Sequence, residues 1–314
     1  MRGEKGFALV LTLVVTALMV AAAVELIHQV YVDTSLNRNF RDGQQASLLA
    51  ESGLYGGIRL LRMALSSQDG YTSLSDTWAA PFKQEDETGR IEITVTEESG
   101  KINLNALVNP DNTVKEETLN ILKRLGTPLQ IPESAWNALA DWIDTDDLPV
   151  SGGSESPYYL SLSPPYSAHN GRLTTVNELT LVKGFTPEMV AKLAPFVTIY
   201  ADQPGSLVAQ SVRVNVNTAP KEVIMALDSD IDEGLAERVI EERNRLPFTN
   251  SDTPGSRVNN SLFDNLPSRD KVTLIYKGTL FRITARGFVK DAARTVEAVV
   301  RMDGTPEILS WQEY

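Results

Sequence analysis

Residues 7–24 read FALVLTLVVTALMVAAAV, and residues 25–65 continue ELIHQVYVDTSLNRNFRDGQQASLLAESGLYGGIRLLRMAL without a proline. The first run holds 18 residues and no charge. As a helix rising about 1.5 Å per residue it is about 27 Å long, enough to cross a bilayer. Arg2 and Lys5, with Glu4 between them, form a short basic stub. The positive-inside rule keeps that stub in the cytoplasm and sends the bulk of the chain across the membrane. Hydropathy alone fits a cleaved secretory signal and an ordinary signal anchor equally. A secretory signal ends in a small-residue cleavage site followed by a change of character, whereas here the pattern runs on past Ala21, Ala22 and Ala23. Apolar or small residues recur at Ala46, Leu49, Ala50, Gly53, Leu54, Gly57, Ile58, Leu61, Ala64 and Leu65. That is the spacing of a stripe packed on a domain, while residues 33–45 are polar all round. A straight helix over 7–65 is about 90 Å long, so its middle crosses solvent or packs against other such helices.

The chain has 314 residues, 42% of them hydrophobic, which suits about two domains with a real core. Lys plus Arg number 29 against 41 Asp plus Glu, a net charge of −12 that repels phosphate backbones and argues against nucleic acid as a partner. There is no cysteine, and the histidines are His28 and His169. Thiolate zinc sites, iron–sulfur clusters, Cys–His nucleophiles and three-histidine metal sites are excluded, so a metal here needs oxygen ligands.

Beyond the helix, residues 66–88 are polar and aperiodic and read as a loop. Arg90–Thr96 alternates with Ile91, Ile93 and Val95 on one face, and KINLNAL at 101–107 alternates with Ile102, Leu104 and Ala106. Around Ser99-Gly100 the two read as a hairpin. Val212–Val216, Val272–Tyr276, Leu280–Phe288 and Thr295–Met302 alternate likewise and are expected to complete the same sheet. Between them, residues 110–210 read as an all-helical insert, with helices expected over 113–125, 132–145, 175–182 and 186–200. A further helical pair is expected at 219–227 and 232–245. Residues 177–192 and 217–243 are both similar to helix-hairpin-helix units. The second turn, Asp228-Ser229-Asp230-Ile231-Asp232, repels phosphate, and both units read as packing devices.

The densest acidic constellation is Asp141, Asp144, Asp146, Asp147 and, after Gly152-Gly153, Glu155. With Asp144 as first position, Asp146 is third, Val150 seventh and Glu155 twelfth, the carboxylate spacing of an EF-hand loop with a backbone carbonyl at the seventh place. Leu148 at the fifth position and Pro149 at the sixth depart from that loop. Calcium and a solvated acidic helix end are the two readings. Acids at a helix C-terminus oppose the helix dipole, which favours a cation. Enzyme readings are weak. Asp144 and Asp146 have no accompanying nucleophile or oxyanion donor, GGSES lacks the last glycine of GxSxG, and GxxxxGK[ST] is absent. His169 reads as a surface histidine and Trp136 and Trp142 as core.

Gly6-Phe7 after a basic leader, then an apolar run and a long amphipathic helix, is similar to the class III signal of type IV pilins and pseudopilins. KINLNAL at 101–107, LADWIDTDD at 139–147, GGSESPYYL at 152–160, VNELTLVKGFTPE at 176–188 and VNVNTAP at 214–220 extend the likeness over nearly the whole chain. They resemble the K-type minor pseudopilin of the bacterial type II secretion system. The resemblance implies an α+β, pilin-like fold, with a long N-terminal transmembrane and assembly helix on an antiparallel sheet and a large all-α, helix-hairpin-helix or SAM-like insertion. It implies a leader over 1–6 removed after Gly6 by prepilin peptidase, with methylation of Phe7. A helix over 7–65, transmembrane over 7–24, would then be followed by a pilin-like frame over 66–109 and 211–314 around the insert at 110–210. Leu11 stands where pilins usually carry Glu, a departure that marks the K type. That Glu neutralises a neighbour's N-terminal ammonium, so a subunit without it starts the filament rather than extending it. The implied role is to initiate or cap the pseudopilus with I-type and J-type minor pseudopilins, for export of folded proteins from an inner-membrane, periplasm-facing position. The implied cofactor is calcium in the helical lobe, held by Asp141, Asp144, Asp146, Asp147 and Glu155, although Ser154 stands where Gly-Ala-Glu is common. Secretin and secreted cargo are further implied contacts. A DNA-uptake or type IV minor pilin and a membrane-anchored periplasmic hydrolase are the alternatives.

Overall fold

The computed structural model describes residues 3–67, 70–201, 212–269 and 271–314, with side chains from Phe7 onward. The expected boundary between residues 210 and 211, and Arg2 of the leader, lie outside the described residues. Helix α1 spans Gly3–Ser66 and is the one described helix long and apolar enough to cross a membrane. From Phe7 to Phe40 its large apolar side chains are all exposed. The two threonine hydroxyls of the apolar run are paired within the helix. Thr12 Oγ1 donates to Ala8 and Leu9 carbonyls (3.1 and 2.9 Å) and Thr16 Oγ1 to Thr12 and Leu13 carbonyls (2.9 and 3.0 Å), as a medium without water demands.

The C-terminal part of α1 lies on an antiparallel sheet. After the helix come β1 (Phe82–Asp86) and β2 (Gly89–Glu97). The chain then leaves the sheet through β3 (Ile102–Asn103), α2 (Glu116–Gly126), α3 (Glu133–Ile143), α4 (Ser156–Leu160), α5 (Pro187–Leu193) and β4 (Val197–Thr198). It continues through β5 (Val212–Asn215), α6 (Lys221–Ala226), α7 (Glu233–Arg245), α8 (Pro254–Arg257), α9 (Leu262–Arg269) and β6 (Val272–Ile275). Strands β7 (Leu280–Val289), β8 (Ala292–Arg301) and β9 (Glu307–Glu313) close the sheet in the order β1-β2-β7-β8-β9. The stripe expected on α1 is the buried one. Ala50, Leu54 and Leu61 join Trp78, Ile93, Phe281, Ile283, Ala285, Val296, Ala298 and Val300 in one core. Glycines let helix and sheet approach. A Cβ on Gly53 or Gly57 would press on Ile91, Ile93, Ala285 or Ile283 at 2.9–3.2 Å.

A second core runs from Ile102 to Val272 and holds the helices. It takes in two short parallel pairs, β3 with β4 and β5 with β6, so this lobe is mostly rather than wholly helical. Several sequence expectations give way here. Residues 101–107 do not pair with β2. The partner of β2 is β7, with Glu97 opposite Phe281, and Ile102, Leu104 and Leu107 are buried in the helical lobe instead. The chain does turn at Ser99-Gly100, with Lys101 N donating to the Glu98 carbonyl (3.1 Å), but it leaves the sheet there, and Gly100 packs where a Cβ would meet the Thr218–Ala219 backbone at 2.8 Å. Val212–Val216 and Val272–Tyr276 pair with each other and pack with the helices rather than the five-stranded sheet. Finally, the loop expected over 66–88 contains β1, whose residues are exposed throughout. The helices expected at 186–200 and 175–182 are shorter, α5 making about two turns before the chain enters β4, and Val176–Leu181 forming a 3₁₀ segment.

The lobes meet through polar contacts. Glu98, wholly buried, accepts from Lys101 Nζ (2.6 Å) and Arg282 Nε (2.9 Å), which hold its carboxyl below the usual range against the burial that raises it. Asn215 Nδ2 donates to Thr72 Oγ1 (2.8 Å) and Glu97 Oε1 (2.6 Å).

Candidate metal centre

Helix α3 is buried nearly all round from Ala135 to Ile143, and Asp141 lies on the face away from Trp136, Leu139 and Ile143, wholly buried as well. The helix stops at Asp144, whose backbone is extended (φ −68°, ψ 176°). The chain then loops to Gly152, in the left-handed region at φ +84°, and Gly153 before α4 begins behind Glu155, with Pro157 in its first turn. Gly153 is required by space, because a Cβ there would overlap Asp141 Oδ2. This return brings Glu155 back over the end of α3. Carboxylate oxygens of Asp141, Asp144 and Glu155 lie within 4.8 Å of one another, and all three residues are buried.

The hydrogen bonds leave this trio short of donors. Asp141 Oδ1 accepts from Val150 N (2.8 Å), but Asp141 Oδ2, Asp144 Oδ1 and both Glu155 oxygens are buried with no partner. Burial, reinforced by Asp146 and Asp141, pushes the Asp144 carboxyl up to about 7. Burial, reinforced by Asp141 and Asp144, pushes Glu155 up to about 7 as well, and burial raises Asp141. Orphaned carboxylate oxygens converging in a buried site are what a hard cation satisfies. The donor set is all oxygen, which suits calcium, magnesium or manganese rather than zinc.

The other expected ligands sit apart from the trio. Asp146, half-buried, accepts from Asn112 Nδ2 (3.0 Å) and Leu148 N (2.8 Å). Asp147, exposed, accepts from Asn170 Nδ2 (3.2 Å). They surround the cluster with charge rather than enclose it. The Val150 carbonyl, seventh in the EF-hand count, accepts from Gly153 N (2.7 Å), and Asp141 enters from one helical turn before that count begins. Asn112 and Asn170, which fix Asp146 and Asp147, were not singled out by the sequence reading. Both take positive φ (64° and 47°), and the turn-forming dipeptides Asp111-Asn112 and Asn170-Gly171 are the signal that marks them.

Trp136 and Trp142 are core residues. Trp136 stacks edge-on against Phe185 (5.3 Å) and Trp142 against Tyr159 (5.0 Å). His169 is partly exposed but has a partner, its Nδ1 lying 2.6 Å from Glu178 Oε1, which also accepts from Trp142 Nε1 (2.9 Å). The first helix-hairpin-helix turn rests on α3, where a Cβ on Gly184 would meet Ala135 at 2.8 Å, and Val182, Phe185 and Val190 join the core. At the other end of the molecule, Phe7 and Leu11 are exposed on α1.

Comparison with known proteins agrees with this architecture. Residues 100–202 and residues 214–270 match two family models, each described as type II secretion system (T2SS), protein K. The type II secretion system protein K of Pseudomonas aeruginosa is 31% identical over 267 residues, covering 80% of this chain and 76% of that protein. Its counterpart in Klebsiella pneumoniae is 30% identical over 229 residues, 68% of this chain and 66% of that protein. The crystal structure of the GspK-GspI-GspJ complex from the enterotoxigenic Escherichia coli type 2 secretion system contains a chain of the same fold. The TM-score is 0.72 at 21% identity, covering 88% of this chain and 99% of that one. The apolar N-terminal helix, the pilin-like frame, the helical lobe and these relatives converge on one conclusion: the chain belongs to the type II secretion system protein K family, the K-type minor pseudopilins.

Proposed function

We propose that this chain starts or caps the pseudopilus, standing at its tip, and that it does no catalysis. The observation that carries the reading is the apolar N-terminal run, where Phe7–Val24 offers no carboxylate and Leu11 stands exposed where a neighbour's amine would need one. An ammonium buried in a helix bundle without a counter-charge costs several kcal/mol. The chain can lend its own amine, freed by prepilin peptidase after Gly6 and methylated on Phe7, to a neighbour's Glu below it. It has nothing to offer a subunit above. The crystallised complex of a protein of this fold with GspI and GspJ supports I-type and J-type minor pseudopilins as the neighbours, with the exposed flank of α1 as the docking element. Calcium held by Asp141, Asp144 and Glu155 stiffens the helical lobe, which projects beyond the frame toward secretin or cargo in the periplasm.

The test is position. Gold-labelled antibody against the helical lobe should mark one end of pseudopili. Leu11→Glu, which restores the missing carboxylate, should admit the subunit into the shaft unless the lobe itself blocks addition. Labelling along the shaft in the parent strain, or identical assembly by parent and variant when the lobe is also trimmed, would refute the tip assignment.

A further inference from the structure

One cation stands beside the acidic trio and is held there by its own contacts. Lys183 Nζ donates to Ser154 Oγ (2.8 Å) and lies 4.4 Å from the centroid of the Tyr158 ring. Its backbone N donates to Tyr159 Oη (3.3 Å), and Val182 and Phe185 on either side are buried in the core. Gly184, at φ +91°, presses on Ala135 of α3. Lys183 is thus tethered at its ammonium by two contacts and at its backbone by a third. Ser154 belongs to the return loop itself, adjacent to Glu155 and between it and Gly153.

We propose that Lys183 is a specificity-determining residue of the cation site, a fixed positive charge that lowers the affinity of the trio and lowers it more for cations of higher charge. The proposal rests on the calcium reading of Asp141, Asp144 and Glu155. The ammonium acts on the trio in two opposite ways. Without a bound cation it is a tethered counter-charge beside the trio, held on Ser154 of the return loop. With a cation in place it repels that cation. Coulomb repulsion scales with the product of the charges, so the penalty on a trivalent ion is about 1.5 times that on a divalent one in free energy. Lys183 therefore biases the site against trivalent ions and toward reversible binding, at a modest level because the ammonium is exposed to solvent and salt.

The test uses the full chain in detergent micelles and the variant K183M, with K183R as the charge-retaining control and K192M as a distant control whose Lys192 pairs with Glu188. Calcium affinity is measured by calorimetry and terbium affinity by emission sensitised through Trp142, which follows Asp141 in α3. K183M should bind calcium about three- to tenfold more tightly at low salt, with the gain shrinking as salt rises. Its gain for terbium should exceed its gain for calcium. In chelator K183M should melt lower than the parent, so the gap between loaded and chelated melting points widens from both sides. K183R and K192M should match the parent. If the parent takes up neither ion, the cation site and this role fall together. If the parent binds and K183M is unchanged, Lys183 sets nothing. If K183M binds more weakly, Lys183 is only a strut for the return loop and the proposal is overturned.

Discussion

Chelating calcium should make the stability of this protein depend on pH in a direction opposite to most acidic sites. In the cation-free protein the Asp144 carboxyl is pushed from an ordinary 3.8 up to about 7, and Glu155 from 4.5 up to about 7. A raised carboxyl means that the folded state holds a proton which the unfolded chain releases. The associated stability is complete below the unfolded values near pH 4 and is lost as pH climbs through about 7. For Asp144 the rise corresponds to on the order of 4 kcal/mol at about 1.4 kcal/mol per pH unit. Glu155 shares the same burial and the same neighbours, so the pair contributes less than twice that. For a lobe of this size each kcal/mol moves the melting point by roughly 2–4 °C, so the chelated lobe should melt about 10 °C lower at pH 8 than at pH 4.5. Saturating calcium displaces those protons and should remove most of the difference, giving a calcium-induced rise in melting point that is small at pH 4.5 and large at pH 8. Intrinsic tryptophan fluorescence suits the assay because Trp136 and Trp142 report on α3, with Trp78 in the frame as an internal reference. A calcium increment that stays constant across that range would refute the reasoning from burial and charge.

Gly153→Ala should abolish calcium binding while leaving the frame's own transition in place, since the added Cβ collides with Asp141 Oδ2; equilibrium dialysis and calorimetry check both. Gly57→Leu, where even a Cβ touches Ile93 and Ile283 at 3.0–3.1 Å, should lift α1 from the sheet at a cost of about 1–3 kcal/mol, read as a lower denaturation midpoint. Arg282→Met should cost about 3–5 kcal/mol by leaving the buried Glu98 carboxylate with Lys101 alone. Because the Glu98 carboxyl is held below its usual value, the stability it supplies is present above pH 4.5 and lost on acidification, and that acid sensitivity should change in the variant.

The sequence made some elements legible and hid others for physical reasons. The stripe on α1 was readable because Ala46, Ala50, Leu54 and Leu61 recur at helical spacing against a single surface, and β7 and β8 because one face of each is buried by that helix. Strand β1, FKQED, is exposed on both faces and leaves no alternation to read. Strand β9 is mostly exposed and escaped for the same cause. Alternation in Val212–Val216 was real, but it records that one side is buried, not which lobe buries it, whereas KINLNAL is a strand only at Ile102–Asn103 before a 3₁₀ segment at Leu104–Ala106 breaks the alternation. At the metal centre the carboxylates were visible as a cluster. Spacing alone could not separate Asp146 and Asp147, which face Asn112 and Asn170, from Asp141, which α3 turns inward to meet Glu155. The role of Lys183 was hidden, because it sits in a turn between two helical segments and meets Ser154, 29 residues earlier in the chain, only through the fold.

The register of β2 against β7 has a consequence for how such a protein arises. Glu98 N donates to the Leu280 carbonyl at 2.8 Å, so the chain departs for the second lobe and returns from it at hydrogen-bonded neighbours. The lobe hangs from what is, in the frame, a single hairpin bend, and a two-residue turn could close the gap with every strand pairing of the frame retained. A smaller, plainer pilin is thus contained whole within this one, and the lobe is cargo that such a bend can acquire or shed without redrawing the sheet.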